Sequence, residues 1–188
     1  DLIRNQGSLI LNRNERRQMI QETGDALARD EGGSVVWNDS LLAEVASLVE
    51  LPMPILGRFD SQYLELPKEV LLTSMESHQK SFGLQDAQGN LLPFFLCTLN
   101  LKPKDLELVR KGWERVLKAR LEDAAFFWKV DSKATLEQWL AELDKVVFLG
   151  PLGSMGDRVR RLQQVSAYLT EGESRDVHTH TVRAAALA

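Results

Sequence analysis

Apolar positions recur every three to four residues along most of this chain, and only a few short stretches alternate or run unbroken. The helical spacing predicts the larger elements. In RNERRQMIQETGDALARDEGG, Met19, Ile20, Ala26 and Leu27 share a helical spacing, and Gly32 and Gly33 supply a stop. NDSLLAEVASLVE predicts a second helix capped by Asn38 or Asp39, with Leu42, Val45, Ala46 and Val49 inward. LPKEVLLTSMESHQK starts a third helix, with Pro67 at its first turn. A long helix is expected from about Lys104 to Trp128, and further helices over TLEQWLAELDKV and GSMGDRVRRLQQVSAYL. The strand candidates are SLILN (8–12), MPILGRF (53–59) and VVFLG. SFGLQD and LLPFFLCTLN, joined by the turn AQGN, read as a hairpin. Pro93 cannot donate to a ladder and belongs at a strand start or edge. TEGESRDVHTH is polar and reads as a loop. Helices and strands mix without βαβ regularity. The expected class is therefore α+β, mixed helices with a small, largely antiparallel sheet. Residues 1–150 are expected to form the core domain, and 151–188 a helical connection leading onward.

The long helix carries the most specific expectation. At about 100° per residue, counted from Val116 as zero, the residues Val109, Trp113, Leu117, Leu121, Ala124, Phe127 and Trp128 fall in one broad apolar sector. Lys111, Glu114, Arg115, Lys118 and Glu122 fall opposite. Arg120 and Asp123 lie inside the apolar sector, so they are expected to be buried and paired, because lone buried charges are costly. Basic residues concentrate on this helix and just before it: Lys102, Lys104, Arg110, Lys111, Arg115, Lys118 and Arg120. Lys111, Arg115 and Lys118 are the candidate RNA-phosphate contacts. A solvated helix face laced with ion pairs is the competing reading. Arg158, Arg160 and Arg161 form a second cluster.

Composition bounds the function. The chain has 188 residues and a formal net charge of −4, so any nucleic-acid contact must come from a local patch. Its single cysteine, Cys97, lies in the apolar run PFFLCTL and reads as a buried, inert thiol in a reducing, cytoplasmic setting. No apolar run approaches the roughly 20 residues of a membrane span. The chain opens on Asp1 and closes on TVRAAALA, which points to a segment of a longer polypeptide.

Catalytic signatures are sparse. The sequence holds no phosphate-binding glycine motif, no GxSxG and no cysteine pair for zinc. His178 and His180 lack companion ligands, so no metal site is assigned. Glu122 and Asp123 point to different faces of one helix. His78 extends the row Leu71, Met75, His78 with Phe82 just beyond, which predicts a half-buried, hydrogen-bonded histidine near a helix end, beside Lys80 as a C-terminal cation. No residue is assigned a catalytic role.

Several long strings nevertheless stand in a recognisable order. They are Leu66–Val70, His78–Phe82, Asp86–Pro93 with Gly89, and Arg120, Leu121, Asp123, Ala124, Phe126 and Phe127. ERRQMI, LLAEVASLVELPMPILGRFD and KVVFLGPLGSMGDRVRRL complete the set. Together they resemble the beta subunits of bacterial two-subunit glycyl-tRNA synthetases, over about Leu9 to Leu169. Ser81, Trp113 and Ala125 depart from that pattern. The resemblance implies a fold similar to the RNA-associated domain of phenylalanyl-tRNA synthetase beta subunits. It implies the part of the subunit that precedes an HD-like and an anticodon-binding domain. In such an enzyme ATP drives the joining of glycine to tRNA-Gly in the alpha subunit, and the beta subunit holds tRNA and supports assembly. The implied partners are therefore the alpha subunit, tRNA-Gly and the remaining beta-subunit domains. No cofactor is implied in this segment. His78, Gln79, Lys80, Arg120, Asp123, Phe126 and Phe127 are family-signature positions, with the role of His78–Lys80 left open. An assembly module without RNA contact is the alternative.

Overall fold

The computed structural model describes residues 9–187. Helix α1 (Arg13–Asp30) starts where the Asn12 side chain accepts the backbone N–H of Asn14 at 2.8 Å. Residues 9–12 were expected as a strand but form none; Ser8 lies outside the described residues. The Ile10 and Leu11 carbonyls instead accept the Arg16 guanidinium at 2.6 and 3.0 Å, and the Ile10 N–H donates to the Glu50 carbonyl. The buried row of α1 is Ile20, Gly24, Ala28, whereas Met19 and Ala26 are exposed. Gly24 is what moves the row. A Cβ there would lie 2.6 Å from Leu96 Cδ2, so the missing side chain lets α1 close on the sheet. Helix α2 (Asp39–Leu48) is capped by Asn38 and buries Leu41, Leu42, Val45 and Ala46.

The sheet has strands β1 (Ser34–Val35), β2 (Met53–Arg58), β3 (Phe82–Gln85) and β4 (Leu91–Leu99), in the antiparallel order β1-β3-β4-β2. The β3–β4 hairpin is closed by Asp86, whose carboxylate accepts the N–H groups of Gln88 and Asn90, both at 2.9 Å. The Asn90 amide, followed by these N–H groups, holds the Asp86 carboxyl below its ordinary range. Register passes from Gly83↔Phe95 to Leu84↔Leu92. Pro93 therefore sits in an irregularity, where its missing N–H costs no ladder bond.

Alternation along β4 sorts the core into two layers. Leu96 packs with Ile20, Leu42, Phe82 and Leu84, under α1 and α2. Phe95 and Cys97 point the other way, into a cluster with Ile55, Leu71, Met75, Leu117 and Leu121. Ile55 comes from β2, Leu71 and Met75 from helix α3 (Lys68–Gln79), and Leu117 and Leu121 from the long helix α4 (Leu106–Asp131). Cys97 is fully buried, and burial pushes its thiol up to about 12. The class is α+β.

Helix α4 buries a narrower row than its expected sector. Its inward row is Trp113, Leu117, Leu121 and Ala125, so Trp113, Leu117 and Leu121 of the expected sector face the core, while Phe127 and Trp128 at its far end are exposed. Arg120 and Asp123 are both exposed, so the expected buried pair is corrected. One i,i+4 row covers the sheet face, and residues flanking that row reach water. Past Ala125 no residue of the helix joins the core, and Phe126 and Phe127 are 63% and 59% exposed, edge to face with each other.

Packing divides the chain at Trp128/Lys129, ahead of the division expected at 150/151. The second unit holds α5 (Leu136–Glu142), the antiparallel pair β5 (Val147–Leu149) and β6 (Gly153–Ser154), α6 (Met155–Leu169) and α7 (Arg175–Ala186). Capping boxes start α5 at Thr135/Gln138 and α6 at Ser154/Asp157. Helix α7 begins inside the stretch expected as a polar loop (170–180) and runs on through TVRAAA. Its inward row begins with His178 and Thr181, polar side chains that hide the helical period, and His178 Nδ1 lies 2.9 Å from Thr170 Oγ1. No described helix is long and apolar enough to cross a membrane.

Candidate nucleic-acid interface

Lys111, Arg115 and Lys118 follow one another at i, i+4 and i+7, and all three are exposed on the side of α4 away from Leu117. The carboxylates around them are mostly engaged elsewhere. Glu107 pairs with Arg110. Asp105 accepts the Leu108 N–H at the helix start, 3.0 Å away. Glu114 accepts the Arg58 backbone N–H at 2.9 Å. Lys118 reaches Glu122 only at 3.7 Å. Among the described residues, Lys111 and Arg115 have no carboxylate partner, so this face keeps net positive charge.

The His78–Gln79–Lys80 string is the C-terminal end of α3. Lys80 takes a left-handed conformation (φ 49°), and its N–H and that of Ser81 both close on the Met75 carbonyl. A left-handed non-glycine residue costs on the order of 1 kcal/mol. Three contacts hold it: these two hydrogen bonds and the Lys80–Glu44 ion pair at 2.9 Å. Ser81, fully buried, donates its hydroxyl to the Gln79 carbonyl at 3.1 Å. His78 differs from expectation. It is exposed, and its ring bonds no described residue, although Leu71 and Met75 earlier in the same row are buried.

The fold brings this string to α4, a juxtaposition the sequence did not reveal. His78, Gln79 and Lys80 line a groove of about 280 Å³ with Val45, Leu48, Val49, Thr98 and Trp113. A second depression, lined by Gln79, Val109, Gly112, Trp113, Arg115 and Val116, shares Gln79 and Trp113 with it. Thr98 and Trp113 are the residues that sequence reasoning missed here. A threonine in a core strand and a tryptophan in an apolar row both read as packing. Arg120, Asp123, Phe126 and Phe127 line neither depression.

The glycyl-tRNA synthetase beta subunit family model matches residues 1–188. The chain belongs to that family. It is 58% identical over 187 residues to the glycine–tRNA ligase beta subunit of Nitratidesulfovibrio vulgaris (strain Hildenborough), covering 100% of this chain and 27% of the relative. The Oleidesulfovibrio alaskensis beta subunit is 55% identical over 174 residues, covering 93% of this chain and 25% of the relative. That of Lawsonia intracellularis is 49% identical over 170 residues, covering 90% and 24%. The chain thus spans about a quarter of the length of these beta subunits. The family found is the one that the strings around His78–Phe82 and Arg120–Phe127 resemble.

Proposed function

We propose that this chain is a non-catalytic part of the beta subunit of a two-subunit glycine–tRNA ligase, where it helps to hold tRNA-Gly and supports assembly with the alpha subunit. The alpha subunit carries the ATP-dependent chemistry, in the cytoplasm, and the rest of the beta subunit shares the tRNA. Family membership supports the ligase reading. The unpartnered cations Lys111 and Arg115, on a solvent face that also bears Lys118, support the RNA contact. Contacts of this kind meet phosphates, so they are salt-dependent and read little sequence.

The test uses the full beta subunit with its alpha subunit. Changing Lys111, Arg115 and Lys118 to Ala together is expected to leave the fold intact and lower the slope of log affinity for tRNA-Gly against log salt by up to about 3. An unchanged slope and affinity would remove this face from the tRNA path. The exposed pair Phe126 and Phe127 favours a second reading, pure assembly through apolar contacts. In that case Phe126→Ser with Phe127→Ser weakens alpha-subunit association in sedimentation and leaves tRNA affinity per assembled enzyme unchanged. The chain alone is expected to show no ATP–pyrophosphate exchange with glycine.

A further inference from the structure

We propose that the groove beside Trp113 receives one unstacked base of the bound RNA. The proposal deepens the reading of α4 as an RNA-facing helix and takes that reading as given. The first observation is Thr98. Its Oγ1 is the one buried side-chain polar atom with no hydrogen-bond partner among the described residues, and Thr98 lines the groove. Buried hydroxyls are normally satisfied, so an orphan beside a groove calls for an explanation. The second is the company it keeps. The Gln79 carboxamide, the His78 ring and the Trp113 indole N–H bond no other described residue, and all three residues line the same groove. Apolar wall, aromatic surface and unspent hydrogen-bond groups in one place fit a planar heterocycle with polar edges. The third is size. At about 280 Å³ the groove lies near the small end of ligand pockets and is too small for a helix about 10 Å across. An apolar peptide side chain would also leave Gln79, His78 and Thr98 without partners, which disfavours a protein occupant. The fourth is position. The groove shares Trp113 and Gln79 with the depression that Arg115 lines, so a strand with its phosphates on Lys111 and Arg115 has a base within reach of it.

The test titrates the alpha–beta enzyme with tRNA-Gly at several salt concentrations. Thr98→Val and Gln79→Leu keep side-chain size and are each expected to weaken binding about twofold to tenfold. Trp113→Ala, if it folds, is expected to weaken it about fivefold to a hundredfold. In every case the salt slope should stay unchanged, because a base contact releases no counterions. Ultraviolet cross-linking of 4-thiouridine-substituted tRNA should mark the peptides bearing Gln79 or Trp113. Unchanged affinity in Thr98→Val and Gln79→Leu, with no cross-link there, overturns the proposal. So does a loss of alpha-subunit association with tRNA affinity intact, which would make the groove a protein site. The two readings fail separately. A lower slope in the triple Lys111, Arg115 and Lys118 variant with silent groove variants removes the groove alone. Weakened binding in the groove variants with an unchanged slope in the triple variant removes the phosphate track alone.

Discussion

The two units of this chain are held together by different means. The unit ending at Trp128 buries two apolar clusters, one on each face of a four-stranded sheet. In the unit from Lys129 onward, the buried residues among those described are Gly156, Val159 and Ala186. Its helices are fixed at their ends instead, by capping boxes at Thr135 and Ser154, by the Arg160–Asp144 and Arg160–Asp157 ion pairs, and by the Arg183–Glu137 pair. All these pairs are at the surface, where each is worth little. The first unit has what it needs for cooperative folding. The second depends on helix propensity and local caps, which rarely carry a unit of this size alone.

The sharpest way to break this contrast is to empty the first core. Phe95 is fully buried, and its ring atoms approach the space above Gly57 where a Cβ would stand, as near as 2.3 Å. Phe95→Ala is expected to cost about 3–5 kcal/mol in denaturant unfolding. A loss under about 1 kcal/mol would mean that the sheet is not the cooperative unit. Amide hydrogen exchange in the same sample should show β2, β3 and β4 opening globally and α5 to α7 opening at lower free energy.

A smaller effect sharpens the comparison from the other side. Ser154 caps α6 through the Asp157 N–H at 3.1 Å, and Asp157 accepts the Ser154 N–H at 2.8 Å in return. Ser154→Ala is expected to cost about 1 kcal/mol of α6 stability, read as faster exchange in its first turn. The same box responds to pH. The Ser154 backbone N–H, then Arg160 and the Ser154 hydroxyl, hold the Asp157 carboxyl down at about 2, against roughly 3.9 for a free aspartate. A depressed pKa means that the carboxylate's contribution is complete above about pH 4 and disappears as pH falls through about 2. Carboxyl NMR should give a midpoint near 2, and a midpoint near 4 would show that the box is open in solution.

What the sequence disclosed follows the same division. The apolar run PFFLCTL marked a strand with a buried Cys97, and helical spacing found α2 with its inward Leu42, Val45 and Ala46. Both signals come from apolar side chains that pack, and a core of this kind writes its period into the chain. The first half of helix α7 escaped notice because its inward row opens with His178 and Thr181, which bury no apolar period. The exposure of Arg120 and Asp123 escaped because the apolar sector of α4 is broader than the single row Trp113, Leu117, Leu121 and Ala125 that the core covers, and only the tertiary neighbours decide how much of it is buried. The Trp113 groove was invisible for a simpler reason. Its residues come from α2, α3, β4 and α4, and no local spacing joins them.

The smallest expected effect bears on how much of α4 is buried. Had the whole expected apolar sector faced inward, Arg120 and Asp123 would be a buried pair, and removing one partner would cost several kcal/mol. With only the row through Leu117 covered, both are exposed, and neither forms an ion pair with a described residue. Asp123→Ala and Arg120→Ala are each expected to shift stability by no more than about 0.5 kcal/mol, the usual range for surface positions. Because the two side chains do not bond, the double variant should equal the sum of the singles within about 0.5 kcal/mol. A coupling above about 1 kcal/mol, or a single-variant loss of about 3 kcal/mol, would mean that the whole expected sector of α4 faces inward. The surroundings of Lys111, Arg115 and the Trp113 groove would then differ as well, so this near-silent pair tests the geometry on which the RNA reading stands.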